Sequence, residues 1–97
     1  MLKISVFDKR TQRQLIVEGL LIAPWVSEVL RTTREARDGL DGRELVVDVN
    51  NVTLVSAQGE EVLLQLLKEG VRFRCSGVYV KHVLARLSRQ VSQEAKK

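Results

Sequence analysis

Few residues of this 97-residue chain could carry out chemistry, and none of them stands in a catalytic pattern. His82 is the single histidine and falls beside Lys81 on the polar side of a predicted helix. Cys75 is the single cysteine and alternates with arginines in step with Phe73, which predicts a buried thiol. One histidine and one cysteine do not complete a metal-ligand set, and no glycine-rich phosphate loop is present. We therefore expect no enzymatic activity, no metal and no cofactor.

The remaining candidate is Ser56, which directly precedes a predicted helix that begins near Ala57. Its hydroxyl can act as the helix N-cap and accept a hydrogen bond from the N–H of Gln58 or Gly59. Free N–H groups at the same helix start could hold an anion, and they would favour a phosphoryl group on Ser56. A plain helix cap and an anion or phosphorylation site at Ser56 are both consistent with these residues.

Length, charge and composition indicate one domain spanning residues 1–97. The chain is 44% hydrophobic and 29% charged, with a formal net charge of +4, as is ordinary for a globular protein. No apolar run approaches the roughly 18 residues of a membrane span, and the N-terminus resembles no secretory signal. We expect a cytoplasmic protein that does not insert into membranes. Nucleic acid is not an expected partner, because no aromatic motif interleaves the basic residues.

Hydrophobic periodicity predicts four strands and three helices in the order β-β-α-β-α-β-α. The predicted strands are residues 2–7, 14–19, 45–49 and 71–76. The predicted helices run from Pro24 to about Asp38, over residues 57–69, and from about Val80 to Val91. Residues 50–56 are predicted as a loop, and the polar residues 91–97 as a tail that frays.

The element order predicts a mixed α/β sheet with the three helices mainly on one face. Two strand–helix–strand units with right-handed crossovers place their helices on the same side of a sheet. The strict alternation around Arg72 and Arg74 agrees, because a sheet covered on both faces would bury these two arginines. Period-two parity then predicts that Glu18 and Asp48 share the uncovered face with the two arginines.

The junction from the third strand into the second helix resembles the signature of STAS domains, the fold of bacterial anti-sigma-factor antagonists. Residues 45–59 have the sequence LVVDVNNVTLVSAQG, in which Asp48, the apolar spacing and Gly59 match. In that family an aspartate, a phosphoacceptor serine and a second hydroxyl residue open the helix. Ser56, Ala57 and Gln58 occupy these three positions here. The resemblance therefore implies a STAS-like fold without serine phosphorylation at the usual site, Ala57.

The resemblance also implies a function in protein–protein interaction. In the family, the partner-binding surface centres on the start of this helix, which here contains Ser56, Gln58, Glu60, Glu61 and Leu64. Leu64 falls on an otherwise polar helix face, where it would be an anchor for a partner. The expected partner is another protein, such as an anti-sigma factor, a related kinase or a transporter component.

Two alternatives stay open from the residues. One is an anion- or nucleotide-binding regulatory module that uses the N-terminus of the helix starting near Ala57, with help from basic side chains. The other is self-association into a homodimer, through the open sheet face or through the strand predicted at residues 71–76.

Overall fold

The computed structural model of the chain describes residues 1–95, which form one four-stranded mixed sheet and three helices. The elements are β1 (Leu2–Asp8), β2 (Gln12–Leu21), α1 (Val26–Ala36), β3 (Glu44–Val55), α2 (Ala57–Lys68), β4 (Arg72–Arg74) and α3 (Val78–Ala95). The predicted α/β class and element order are therefore confirmed. Among the described residues, no helix is both long enough and apolar enough to cross a bilayer.

The strands lie side by side in the order β1-β2-β3-β4. β1 and β2 form an antiparallel hairpin, whereas β3 is parallel to both β2 and β4. Each parallel pair is joined by a helix, α1 or α2, as a crossover connection requires. α3 then packs against α2 and β3, so that the helices cover one face of the sheet.

The hydrophobic core lies between this covered face and the helices. Leu15 and Val17 of β2, and Val47 and Val49 of β3, point into the core at every second position, as expected for a strand with one covered face. The most deeply buried apolar residues are Leu15, Val17, Leu21, Val29, Val47, Val49, Leu63 and Leu66. They bring together β2, β3, α1 and α2, so a single core holds the two crossover units.

The opposite face of the sheet is uncovered and carries charged side chains. Asp48 is the register partner of Arg74 on one side and of Ile16 on the other. Glu18 lies two residues beyond Ile16 on the same face, because the intervening residue of β2 points into the core. Arg72 forms an ion pair with Glu44, with 2.8 Å between Arg72 Nε and Glu44 Oε1. The prediction that Glu18, Asp48, Arg72 and Arg74 share one face is confirmed.

The third strand is much longer than predicted. β3 does not end at Val49 but continues to Val55, so most of the loop predicted at residues 50–56 is wrong. The register explains why. Between Asp48 and Asn51, and again between Val52 and Leu54, β3 contains one more residue than β2 beside it. These two bulges place Val49, Val52 and Val55 in the core at a spacing of three, which hides the period-two pattern of a strand.

The boundaries of other elements also differ from prediction, and β2 covers Gln12–Leu21 where residues 14–19 were predicted. α1 begins at Val26, because Pro24 lies in a preceding turn in which the Trp25 N–H donates to the Ile22 carbonyl over 3.0 Å. β4 comprises only Arg72–Arg74 of the predicted 71–76. α3 continues to Ala95 through the segment predicted as a polar tail, and residues 96–97 lie outside the described residues.

Candidate partner-binding surface

Ser56 fixes the start of α2 to the end of β2. Its Oγ accepts a hydrogen bond from the Gly59 N–H over 3.1 Å, which confirms the predicted N-cap. The same Oγ donates to the Leu21 carbonyl over 3.3 Å, and the Ser56 N–H donates to that carbonyl over 3.0 Å. One carbonyl of β2 therefore accepts from both hydrogen-bond donors of the N-cap residue.

The hydrogen bonds of Ser56 make its hydroxyl a poor candidate for phosphorylation. The hydroxyl is half-buried and makes two hydrogen bonds within the chain. A phosphoryl group on Oγ would remove the bond to Leu21, because the oxygen would lose its proton. The local geometry thus supports Ser56 as a structural cap.

Gly59 allows α2 to approach β2 closely. A Cβ built on this glycine overlaps the Leu21 carbonyl oxygen and lies 3.0 Å from Val55 Cγ1 and 3.1 Å from Leu21 Cγ. The helix backbone therefore rests directly on the ends of β2 and β3. Gly59 is one of the residues that carry the family resemblance, and its role here is this contact.

Beyond the cap, one side of α2 forms a shallow groove with α3. The groove has a volume of 180 Å³ and is lined by Ala57, Glu60, Glu61, Leu64, Arg86, Leu87 and Gln90. Arg86 of α3 reaches across to Glu60, with 2.7 Å between its Nη2 and Glu60 Oε1. This ion pair bridges the two helices and leaves the exposed Glu61 carboxylate beside it.

The structure brings together three of the five predicted contact residues. Glu60, Glu61 and Leu64 line the groove, and so does Ala57. Ser56 and Gln58 are not among the lining residues. Ser56 is turned toward Leu21, whereas Gln58 is exposed.

The environment of Leu64 differs from the exposed position predicted from the sequence. Leu64 is half-buried and packs against the hydrophobic core, and it is not an isolated apolar residue on a polar face. The reason is that α3 lies along this side of α2, with Leu87 lining the same groove. A helical wheel of α2 alone cannot show a neighbouring helix that arrives from later in the chain.

The groove residues on α3 were missed by sequence reasoning. Arg86, Leu87 and Gln90 lie on a helix whose apolar stripe was recognised, but its pairing with α2 depends on how α3 returns over the sheet. Two side-chain contacts join the start of α3, and the residues just before it, to β3. Asn50 Oδ1 accepts from the Ser76 hydroxyl over 3.1 Å and from the Ser76 N–H, and the Tyr79 hydroxyl accepts from the Val55 N–H over 3.1 Å.

The other titratable clusters stabilise the fold away from this surface. Hydrogen bonds from Arg34 and Gln65, together with the charge of Arg37, lower the pKa of the Glu69 carboxyl below its usual value of 4.5. Glu69 is the C-cap of α2 and ties this end of the helix to α1. A hydrogen bond from Arg13 likewise lowers the pKa of Asp8, at the end of β1.

The remaining reactive residues lie apart from the groove. His82 is exposed on α3, and Cys75 is half-buried, with its Sγ 3.5 Å from the Gly77 carbonyl oxygen. Within residues 1–95, no group of three or more histidine, cysteine, aspartate or glutamate side chains could hold a metal ion.

Comparison with known proteins adds no assignment. Neither a scan against protein-family models nor a search of curated proteins finds a match to this chain.

Proposed function

We propose that this chain is a non-enzymatic protein–protein interaction module of the STAS type that acts in the cytoplasm, in bacterial regulation or in a transporter or signalling complex. The observation that carries the proposal is the groove between α2 and α3. It is lined by Ala57, Glu60, Glu61 and Leu64, so three of the five expected contact residues lie on one surface with Ala57, which the resemblance aligns with the family's phosphoacceptor.

The proposed module is not switched by serine phosphorylation at the usual site. Ala57 has no hydroxyl to modify, and the neighbouring Ser56 hydroxyl is engaged by Leu21 and Gly59. Partner binding is then constitutive, or is regulated by the partner.

The chemistry of the groove suggests which partner surface would fit. Glu61 offers an exposed carboxylate, while the charge of Glu60 is already met by Arg86. Leu64 and Leu87 supply apolar contact at the base of the groove. A partner that presents a basic side chain next to an apolar one would complement this surface in charge and in polarity.

The anion- or nucleotide-binding alternative is less well supported by the same residues. The Gly59 N–H at the helix start is taken by Ser56, and the carboxylates of Glu60 and Glu61 stand within the first two turns. These negative charges oppose a bound anion, and the Arg86 guanidinium that could offset them pairs with Glu60.

Site-specific photo-cross-linking would test the proposed surface. A photoreactive amino acid at position 61 should capture one defined protein in host cells. The same substitution at Glu35, an exposed glutamate of α1, is the matched control and should not capture it. Equal capture from both positions, or none from position 61, would contradict the proposal.

Binding measurements with the captured protein would then quantify the contact. We expect Glu61→Lys to weaken binding about tenfold, which corresponds to about 1.4 kcal/mol, and Glu35→Lys to leave it unchanged. Thermal unfolding with inorganic phosphate and with ATP examines the alternative. A stabilisation above about 1 kcal/mol by either anion would favour an anion-binding module instead.

A further inference from the structure

Within the described residues 1–95, no strand pairs with the outer edge of β1, so the hydrogen-bonding groups of this edge are available. The Met1 carbonyl accepts from the Leu20 N–H, and the Lys9 N–H donates to the Gln12 carbonyl, so the odd-numbered residues of this strand bond to β2. The even-numbered residues, Leu2, Ile4, Val6 and Asp8, therefore direct their backbone N–H and C=O groups outward.

Apolar side chains flank this edge on both faces of the sheet. Three of the six large hydrophobic residues that the structure exposes among the described positions lie here: Met1 at 87%, Val6 at 50% and Phe7 at 53%. On the helix side, Leu2, Ile4 and Val6 line a groove of 310 Å³ against Trp25, the N-cap of α1, and against Glu28 and Thr32 of that helix. An edge of this kind is a template for another strand, and monomeric proteins usually block it.

The two edges of the sheet differ in this respect. β4, at the opposite edge, has only three residues, of which Arg72 and Arg74 are exposed and charged. A short, charged strand is a common protection against edge pairing. β1 has seven residues, and its charged side chains are Lys3 and Asp8 near its two ends. The unprotected edge is therefore β1.

We propose that β1 pairs antiparallel with β1 of a second copy of the chain, so that two four-stranded sheets join into one. The pairing is centred on Ile4, which lies opposite Ile4 of the second copy. Leu2 then faces Val6, and Met1 faces Phe7. The Ile4–Ile4 and Leu2–Val6 pairs extend the apolar row of the groove across the two-fold axis, and the Met1–Phe7 pairs lie on the other face of the sheet. Together they cover all three exposed hydrophobic residues of this edge.

Charge also favours this register. Lys3 lies opposite Ser5 of the second copy, and within its own chain it is the register partner of Glu18. No like charges face each other directly. Moving the centre to Ser5 would place Leu2 opposite Asp8, whose carboxylate is held by Arg13 and Arg43. The register centred on Ile4 leaves that cluster undisturbed.

The dimer uses a different surface from the groove between α2 and α3. β1 is the edge strand farthest from β4, and the helix before β4 carries Glu61 and Leu64. Both copies of the groove therefore stay open, and failure of the dimer would leave the proposed function untouched.

Light scattering and sedimentation velocity on the purified chain would test the association. We expect a dimer, which Val6→Lys combined with Phe7→Lys converts to a monomer with an unchanged circular dichroism spectrum. Leu54→Lys is the matched control, since Leu54 is exposed to a similar degree, at 48%, on β3. This control should remain dimeric. A monomeric wild-type chain at millimolar concentration, or a dimer that persists in the double variant, would overturn the proposal.

Disulfide trapping would test the register in a Cys75→Ser background. Paired residues at the centre have Cα atoms about 5.5 Å apart, which a disulfide can bridge. Ile4→Cys should therefore cross-link to itself on mild oxidation, whereas Ser5→Cys should not. Efficient cross-linking through Ser5→Cys and none through Ile4→Cys would overturn the proposed pairing.

Discussion

Replacing Gly59 with alanine tests how closely α2 is held against the sheet. The added methyl group would overlap the Leu21 carbonyl oxygen, which also accepts both hydrogen bonds from Ser56. It would also meet Val55 Cγ1 at 3.0 Å. Because the overlapping atom belongs to the backbone, the helix start must shift, and its bonds to Leu21 are lost or lengthened.

The size of the effect follows from three contributions. Alanine favours a helix interior over glycine by about 1 kcal/mol. Overpacking in a well-packed contact costs about 1 to 3 kcal/mol. Each weakened hydrogen bond to Leu21 costs about 1 kcal/mol more. We expect Gly59→Ala to lower the free energy of unfolding by about 2 to 4 kcal/mol net, or the melting temperature of a chain this size by about 8 to 30 °C.

Urea denaturation followed by circular dichroism would measure this change. Gly39→Ala is the control, because a Cβ at Gly39 meets nothing within 4 Å and bears only the strain of a φ of 71°. That strain costs about 1 to 2 kcal/mol. A Gly59→Ala variant as stable as the wild type, or more stable, would refute the close approach of α2 to Leu21.

Two further predictions concern other contacts of the fold. Tyr79→Phe should lower the free energy of unfolding by about 1 kcal/mol in urea denaturation, because the Val55 N–H loses its acceptor while the ring remains. An unchanged value would show that water replaces the hydroxyl fully. Glu69 has a lowered pKa in the folded chain, so its contribution to stability is present above its usual value of 4.5 and is lost as pH falls through the lower folded pKa. In a pH series that crosses 4.5, Glu69→Gln should therefore flatten the acid side of the stability curve, and a curve parallel to the wild type would contradict this reasoning.

The sequence determines the architecture of this fold better than its strand boundaries. Element order and connection lengths leave few topologies, and the parity of Asp48 and Arg74 was sufficient to predict the uncovered face. The extension of β3 escaped prediction because its two bulges change the apolar spacing from two to three. Bulges are defined by the partner strand, so a pattern within one segment does not reveal them.

In the candidate site, too, local features were predictable from the sequence and contacts between distant elements were not. The cap at Ser56 was predictable because it depends on residues three positions apart. The environment of Leu64 and the ion pair between Glu60 and Arg86 were not, because both depend on where α3 packs. Contacts between helices distant in the chain are tertiary properties, and helix periodicity fixes only the face that is buried.

The length of β3 relative to β4 has a consequence for biosynthesis. β4 pairs with β3 only as far as Asp48. Beyond Asp48, side chains form hydrogen bonds with backbone groups of β3 on this edge. The Asp48 carboxylate accepts from the Asn50 N–H, and Tyr79 binds the Val55 backbone. Tyr79 follows β3 in the chain, so on the ribosome the backbone edge of this part of β3 stays open until α3 emerges. During that interval the backbone N–H and C=O groups of this part of β3 are available for pairing with another chain.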